Sequence, residues 1–117
     1  MGDTVYECHV RKHLLEDGAV NPHRLHQTAT SFVSAKAQCA AIHYLLDQDL
    51  LCAHEIAIVR RGRNAKSATV PKNTDITTYR YATGLEALIG YLYLNADHER
   101  VDQIMNWVIS FCEERKG

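Results

Sequence analysis

The sequence has few of the residues that interrupt secondary structure. It contains two prolines, Pro22 and Pro71, and six glycines in 117 residues. No internal repeat, low-complexity tract or Gly/Ser-rich linker divides it, so we expect a single domain spanning residues 1–117. Strict alternation of polar and apolar residues, which would indicate strands, is nearly absent, and helical spacing recurs instead.

Long apolar segments are also lacking. The longest run without a charged residue is eleven residues, Leu25 to Ala35, which is too short to span a bilayer. Acidic residues at Asp3 and Glu7 argue against a secretory signal peptide. We therefore expect a cytoplasmic protein that has no membrane partner. The four cysteines contain no Cys-x-x-Cys pair, and in a reducing cytosol we expect them to be free thiols.

The helical spacing predicts an all-α fold with five to six helices and short connections. Asn21-Pro22, Ser34 and Thr74 or Asp75 are the residue types that begin helices. The predicted helices run from Gly2 to Glu16, from Pro22 through Phe32, from a Ser34 cap over Ala35 to Leu46, from about Ala53 to Arg63, from Thr74 or Asp75 to about Leu94, and from about Asp97 to Glu114.

The last predicted helix has a wider apolar face than one contact requires. Its main stripe is followed by a second strip that contains Trp107 and Phe111. This second strip is buried either in the core of the chain or in a subunit interface. The main apolar stripe of the same helix comprises Val101, Ile104, Met105, Val108 and Cys112.

Two carboxylates stand in unusual surroundings. Glu86 is the only charged residue between Gly84 and Leu94, in a segment apolar enough to be buried on most of its circumference. A buried carboxylate must be paired, metal-bound or protonated, so the alternatives are an ion pair with an arginine or an outward orientation. Asp3, near the start of the first helix, is either a metal ligand or an acid placed favourably for the helix dipole. Two such acids on different helices would suit Mg²⁺, which prefers carboxylate oxygens.

Positive charge is concentrated in one segment. Between Ile56 and Leu85 there are six basic residues and one acid, a net charge of +5, whereas the whole chain carries −1. Arginine, lysine, hydroxyl and amide side chains contact phosphate and sugar, and no aromatic residue suitable for base stacking lies between Ile56 and Tyr79. The pattern favours backbone contact with double-stranded RNA over a merely solvated basic loop. The candidate RNA-binding residues are Arg60, Arg61, Arg63, Asn64, Lys66 and Lys72.

Several motifs together resemble one family. They are Gly2-Asp-Thr-Val-Tyr-Glu7, Ser31-Phe-Val-Ser-Ala-Lys-Ala-Gln38, Arg60-Arg-Gly-Arg-Asn-Ala-Lys66, Pro71-Lys-Asn-Thr-Asp75, Thr78-Tyr-Arg80 and Glu86-Ala-Leu-Ile-Gly-Tyr-Leu-Tyr-Leu94. Over nearly the whole chain, these are similar to Mini-III ribonuclease. This bacterial relative of ribonuclease III has the catalytic domain and lacks the double-stranded RNA-binding domain.

The resemblance implies a function and a set of site residues. It implies a ribonuclease III-type helical endonuclease domain that forms a homodimer, requires Mg²⁺ and matures the large-subunit (23S) ribosomal RNA precursor, with a ribosomal protein as a further candidate partner. Asp3 and Glu86 match the family's metal-binding catalytic acids, and Arg60 to Asn73 match its substrate-binding loop. The expected products carry 5′-phosphate and 3′-hydroxyl ends.

The chain departs from the wider ribonuclease III pattern. Thr83 stands where that family has an aspartate three positions before the motif glutamate, and a further acid expected seven residues before Asp3 falls before Met1. The usual N-terminal segment of about one helix is expected to be missing as well. These departures leave open whether one or two metal ions bind. They also leave an alternative function, a catalytically weak RNA-binding or ribosome-assembly protein that retains the basic loop.

Overall fold

The computed structural model describes residues 2–16, 22–65 and 75–116, except for the side chains of residues 22–27 and 116. Within these ranges the chain forms six α-helices and no strand, so the predicted all-α fold is confirmed. The helices are α1 (Gly2–Glu16), α2 (Pro22–Val33), α3 (Ala35–Asp47), α4 (Ala53–Asn64), α5 (Ile76–Leu94) and α6 (His98–Lys116).

Local capping explains where two of these helices begin. The Ser34 hydroxyl accepts a hydrogen bond of 3.2 Å from the amide of Ala37 at the start of α3. The Asp75 carboxylate accepts one of 3.1 Å from the amide of Thr78 at the start of α5. Both predicted caps are confirmed, and each satisfies an amide that has no partner inside its helix.

Helix α5 lies at the centre of the fold and contacts α1, α3, α4 and α6. Leu85, Leu88 and Ile89 on this helix are completely buried. Helix α4 approaches α5 closely at Gly84, because a β-carbon on Gly84 would lie 2.8 Å from the carbonyl oxygen of Val59. Glu86 is thus carried by the most enclosed helix of the domain.

The apolar stripe of α6 faces the core as predicted, with Val101, Ile104, Met105, Val108 and Cys112 all buried. The second strip is half-buried: Phe111 stacks on Tyr44 at 4.8 Å between ring centroids, and the Arg100 guanidinium lies 5.3 Å from the centre of the Trp107 ring. At least part of the strip is therefore covered by side chains of the same chain.

An ion pair between buried Glu55 and partly buried Arg100 fixes the α3–α4 connection against α6. The Arg100 guanidinium donates to both carboxylate oxygens of Glu55 at 2.7 Å and to the carbonyl oxygen of Leu50 at 2.9 Å. The Glu55 carboxylate also accepts a hydrogen bond from the backbone amide of Cys52, at the start of α4. Hydrogen bonding to Arg100 holds the pKa of Glu55 below its ordinary value.

All four cysteines are free thiols, as expected. Among the described helices, none is both long enough and apolar enough to cross a membrane.

Candidate active site

The two carboxylates singled out from the sequence line one cleft. It lies where the first turn of α1 meets α5 and the start of α3, and its volume is about 250 Å³. Asp3 and Glu86 are 83 positions apart in the sequence, and the packing of α1 on α5 brings them to the same cavity. The lining residues are Asp3, Thr4, Tyr6, Glu7, Val33, Gln38 and Glu86.

The contact that brings these acids together runs through a glycine. A β-carbon on Gly2 would lie 1.8 Å from the carbonyl oxygen of Glu86, so the backbone of α1 touches the backbone of α5 at this position. Gly90, one turn further along α5, faces the same contact, since its β-carbon would lie 3.2 Å from the amide nitrogen of Gly2. Asp3 follows Gly2 directly, so its position is set by this contact.

Asp3 is exposed at the N-terminal end of α1. One of its carboxylate oxygens accepts a hydrogen bond of 2.8 Å from the amide of Thr4. A carboxylate is favoured at this end of a helix because the first amides carry a partial positive charge. The position therefore suits an acid that also faces the cleft.

Glu86 is half-buried, and among the described residues no arginine or lysine forms an ion pair with it. Burial raises the pKa of the Glu86 carboxyl and the neighbouring Asp3 carboxylate raises it further, while the Gln38 side chain and the N-terminal amino group act in the opposite direction. The buried arginine pair considered from the sequence is therefore absent from the described residues. The two acids repel each other across the cleft, and a bound cation would relieve that repulsion.

The cleft fits a hydrated divalent cation. No third histidine, cysteine, aspartate or glutamate joins the two carboxylates to form a larger cluster within the described ranges. Two carboxylates with waters completing the shell is a ligand set that Mg²⁺ commonly takes.

Thr83, which replaces the expected aspartate, lies one turn before Glu86 on α5. Its hydroxyl donates to the carbonyl oxygen of Tyr79 at 2.9 Å, which is a bond within its own helix. The residue therefore adds no negative charge beside Glu86.

The predicted RNA-binding residues occupy different environments. Arg60, Arg61 and Asn64 are exposed at the C-terminal end of α4. Arg63 is half-buried and donates a hydrogen bond of 3.0 Å to the hydroxyl of Tyr81 on α5. Lys66 and Lys72 lie outside the described residues.

Two residues of this region were missed by sequence reasoning. Tyr81 holds Arg63 and also contacts the ring of His43, at 4.2 Å between centroids. Gln38 lines the acidic cleft and is 5% exposed. The sequence signals for Gln38 were an amide on the otherwise apolar side of α3 and its place in the Ser31–Gln38 motif, neither of which indicated a role in the site.

Comparison with known proteins identifies close relatives. The ribonuclease III domain family model matches residues 1–97. The Mini-ribonuclease 3 of Enterococcus faecalis is 46% identical over 109 residues, which cover 93% of this chain and 83% of that protein. The Mini-ribonuclease 3 of Streptococcus pneumoniae is 44% identical over 112 residues, covering 96% of this chain and 88% of that protein.

A solved structure has a similar fold. The crystal structure of a protein from Fusobacterium nucleatum matches this chain with a TM-score of 0.82 and 31% sequence identity. The match covers 94% of this chain and 86% of the other.

Proposed function

We propose that this chain, which belongs to the ribonuclease III family and is an endoribonuclease, cleaves double-stranded RNA with Mg²⁺ held by Asp3 and Glu86. The observation that carries the proposal is the convergence of these two carboxylates in one cleft. The raised pKa of Glu86 supports it, because perturbed carboxyl groups cluster at functional sites.

The roles of the two acids follow from their positions. Asp3 extends from the exposed end of α1 and Glu86 from the enclosed centre of α5, so together they present oxygens from two sides of the cleft. Asp3 and Glu86 would hold the Mg²⁺, which would supply activation of a water for attack on phosphorus and charge stabilisation at the leaving 3′ oxygen. The products are then a 5′-phosphate and a 3′-hydroxyl.

The basic end of α4 packs against α5, and this packing supports RNA backbone binding there. Gly62 packs against Ala87, the residue that follows Glu86, since a β-carbon on Gly62 would lie 2.7 Å from the β-carbon of Ala87. Arg60 and Arg61 are therefore carried on a helix that contacts α5 beside the catalytic glutamate. We assign phosphate binding to them, to Arg63 and Asn64, and to Lys66 and Lys72.

The proposal extends to the assembly and to the natural substrate. Each chain has one Asp3–Glu86 pair, so cutting both strands of a duplex requires two sites, which a two-fold homodimer supplies. The family resemblance supports the 23S ribosomal RNA precursor as the substrate, presented with a ribosomal protein, in the cytoplasm. The chain then functions as one catalytic domain spanning residues 1–117.

The test compares an end-labelled RNA duplex with its separate strands and with the matching DNA duplex. We expect cleavage of the RNA duplex alone, in the presence of Mg²⁺, with 5′-phosphate ends. Equal cleavage of the single strands would contradict duplex recognition, and undiminished cleavage in EDTA would contradict the metal requirement.

Substrate and assembly have their own measurements. A duplex formed from the two flanks of precursor 23S RNA should be cut at discrete positions, and random cutting would contradict that substrate. Sedimentation should give about twice the 13.2 kDa of one chain. A monomer that still cuts both strands would contradict the two-site arrangement.

A further inference from the structure

Gln38 carries a buried oxygen atom without a hydrogen-bond partner. The residue is 5% exposed, and its side-chain Oε1 is buried and accepts no hydrogen bond from any described residue. A buried acceptor that loses its bonds to water costs free energy, roughly 1–3 kcal/mol, so such atoms are rare unless something else binds them.

The orientation of the Gln38 amide is fixed by its neighbour. Nε2 donates a hydrogen bond of 2.9 Å to the carbonyl oxygen of Val33 at the end of α2. A carbonyl can only accept, so rotating the amide by 180° would set two oxygen atoms against each other. Oε1 is therefore held on the side away from Val33.

The Gln38 side chain lies at the acidic cleft. Its side chain lines the same cleft as Asp3 and Glu86, and it is close enough to Glu86 to influence that carboxyl group. A deprotonated carboxylate has no hydrogen to donate to Oε1. A divalent cation or its coordinated waters would bind oxygens of all three side chains, because carbonyl and carboxylate oxygens are the ligands that such ions prefer.

We propose that Oε1 of Gln38 is a third oxygen of the divalent-cation site, bound to the ion directly or through one coordinated water. The inference rests on the proposed function, since it requires a cation between Asp3 and Glu86. Gln38 thereby adds a neutral oxygen to a site for which the described residues form no cluster of three acids, and α3 joins α1 and α5 in building it.

The test measures binding of Mn²⁺, which prefers the same oxygen ligands as Mg²⁺. Loss of the free-ion signal in electron paramagnetic resonance gives its Kd for the full chain without RNA. Gln38→Met keeps an unbranched side chain of similar length and removes the oxygen, and we expect Mn²⁺ to bind about 10-fold more weakly. Gln48→Met is the matched control, because Gln48 is an exposed residue at the end of α3. Its Kd should equal that of the parent chain.

A second variant separates a metal role from a structural one. Gln38→Glu also loses the bond to the Val33 carbonyl but retains an oxygen, so we expect it to bind Mn²⁺ at least as tightly as the parent chain. If circular dichroism shows that Gln38→Met does not fold, the Mn²⁺ affinity of Gln38→Glu alone tests the inference. Weaker Mn²⁺ binding by Gln38→Glu than by the parent chain then overturns it.

The remaining outcomes distinguish the two proposals. Glu86→Gln should lose Mn²⁺ binding at this site. If Glu86→Gln loses it and folded Gln38→Met binds with the parental Kd, the role of Gln38 is wrong and the Asp3–Glu86 site stands. If Glu86→Gln binds Mn²⁺ as tightly as the parent chain, the metal site itself is wrong, and the role of Gln38 fails with it.

Discussion

The α-carbon of Gly2 lies directly against the backbone carbonyl of Glu86, with no space for a β-carbon between them. This contact joins the first turn of α1 to the central helix and places Asp3 beside the cleft that Glu86 lines. The spacing of the two carboxylates is therefore set by the packing of two backbones, which deforms less readily than a contact between flexible side chains.

Gly2→Ala should displace α1 from α5 and disturb both stability and cleavage. Its β-carbon would lie 1.8 Å from a backbone oxygen, so the helix must shift. We expect a loss of about 1–3 kcal/mol in the free energy of unfolding, measured by urea denaturation, together with slower cleavage.

Gly90→Ala is the matched variant at the same contact. Its β-carbon would meet Gly2 at 3.2 Å, which a displacement of a few tenths of an ångström relieves. We expect a smaller loss of stability and of cleavage than in Gly2→Ala. Equal tolerance of the two substitutions would contradict the assigned role of the Gly2–Glu86 contact.

The Glu55–Arg100 ion pair should make the free energy of unfolding depend on pH in the acidic range. The folded-state pKa of Glu55 lies below its ordinary value of 4.5. The carboxylate therefore contributes stability above that pH, and the contribution is lost as the pH falls through the lowered pKa. At pH 7, Glu55→Gln should cost about 3 kcal/mol, because it leaves the arginine with an incompletely matched partner.

The control for this prediction is Glu99→Gln, at an exposed position on α6. Urea denaturation at several pH values should show the Glu55→Gln deficit shrinking in acid, while Glu99→Gln follows the parent chain. A deficit that does not change with pH would contradict the ionic contribution of Glu55.

Arg61→Ala should weaken RNA binding through lost phosphate contact. Its side chain is exposed at the end of α4, so removing it affects few contacts within the protein. Losing one phosphate contact lowers the slope of log K against log salt by about 0.9. Fluorescence anisotropy over a salt series measures this slope. Arg115→Ala removes the same charge near the end of α6 and should leave the slope unchanged; equal effects would mean that only net charge matters.

The helices were predictable because their signals are local. Ser34 and Asp75 cap the helices that follow them, and a cap needs only a side chain and an amide three residues away. The burial of Val101 and Val108 follows in the same way from helical spacing.

The contacts that complete the site were not predictable, because they join residues from different helices. The orphaned oxygen of Gln38 depends on where α2 ends, since the Val33 carbonyl fixes the amide. The bond between Arg63 and Tyr81 likewise depends on how α4 crosses α5. Asp3 and Glu86 could be identified as carboxylates in unusual sequence surroundings. That they line one cleft could not be predicted, because it depends on how α1 packs on α5.

The role of Glu86 in catalysis is tested most directly by comparing it with a second glutamate of the same cleft. Glu86 and Glu7 both line it, but the Glu7 carboxylate accepts a hydrogen bond of 3.1 Å from Arg11. Glu86→Gln and Glu7→Gln therefore remove the same charge from the same cavity.

Single-turnover cleavage of an RNA duplex in Mg²⁺, with duplex affinity measured in parallel, distinguishes the two variants. We expect Glu86→Gln to slow cleavage by at least about 10³-fold, on the scale of losing several kcal/mol of transition-state stabilisation, while duplex affinity stays close to the parental value. For Glu7→Gln we expect a near-parental rate. Cleavage by Glu86→Gln at the parental rate would contradict the assignment of Glu86 to the metal site.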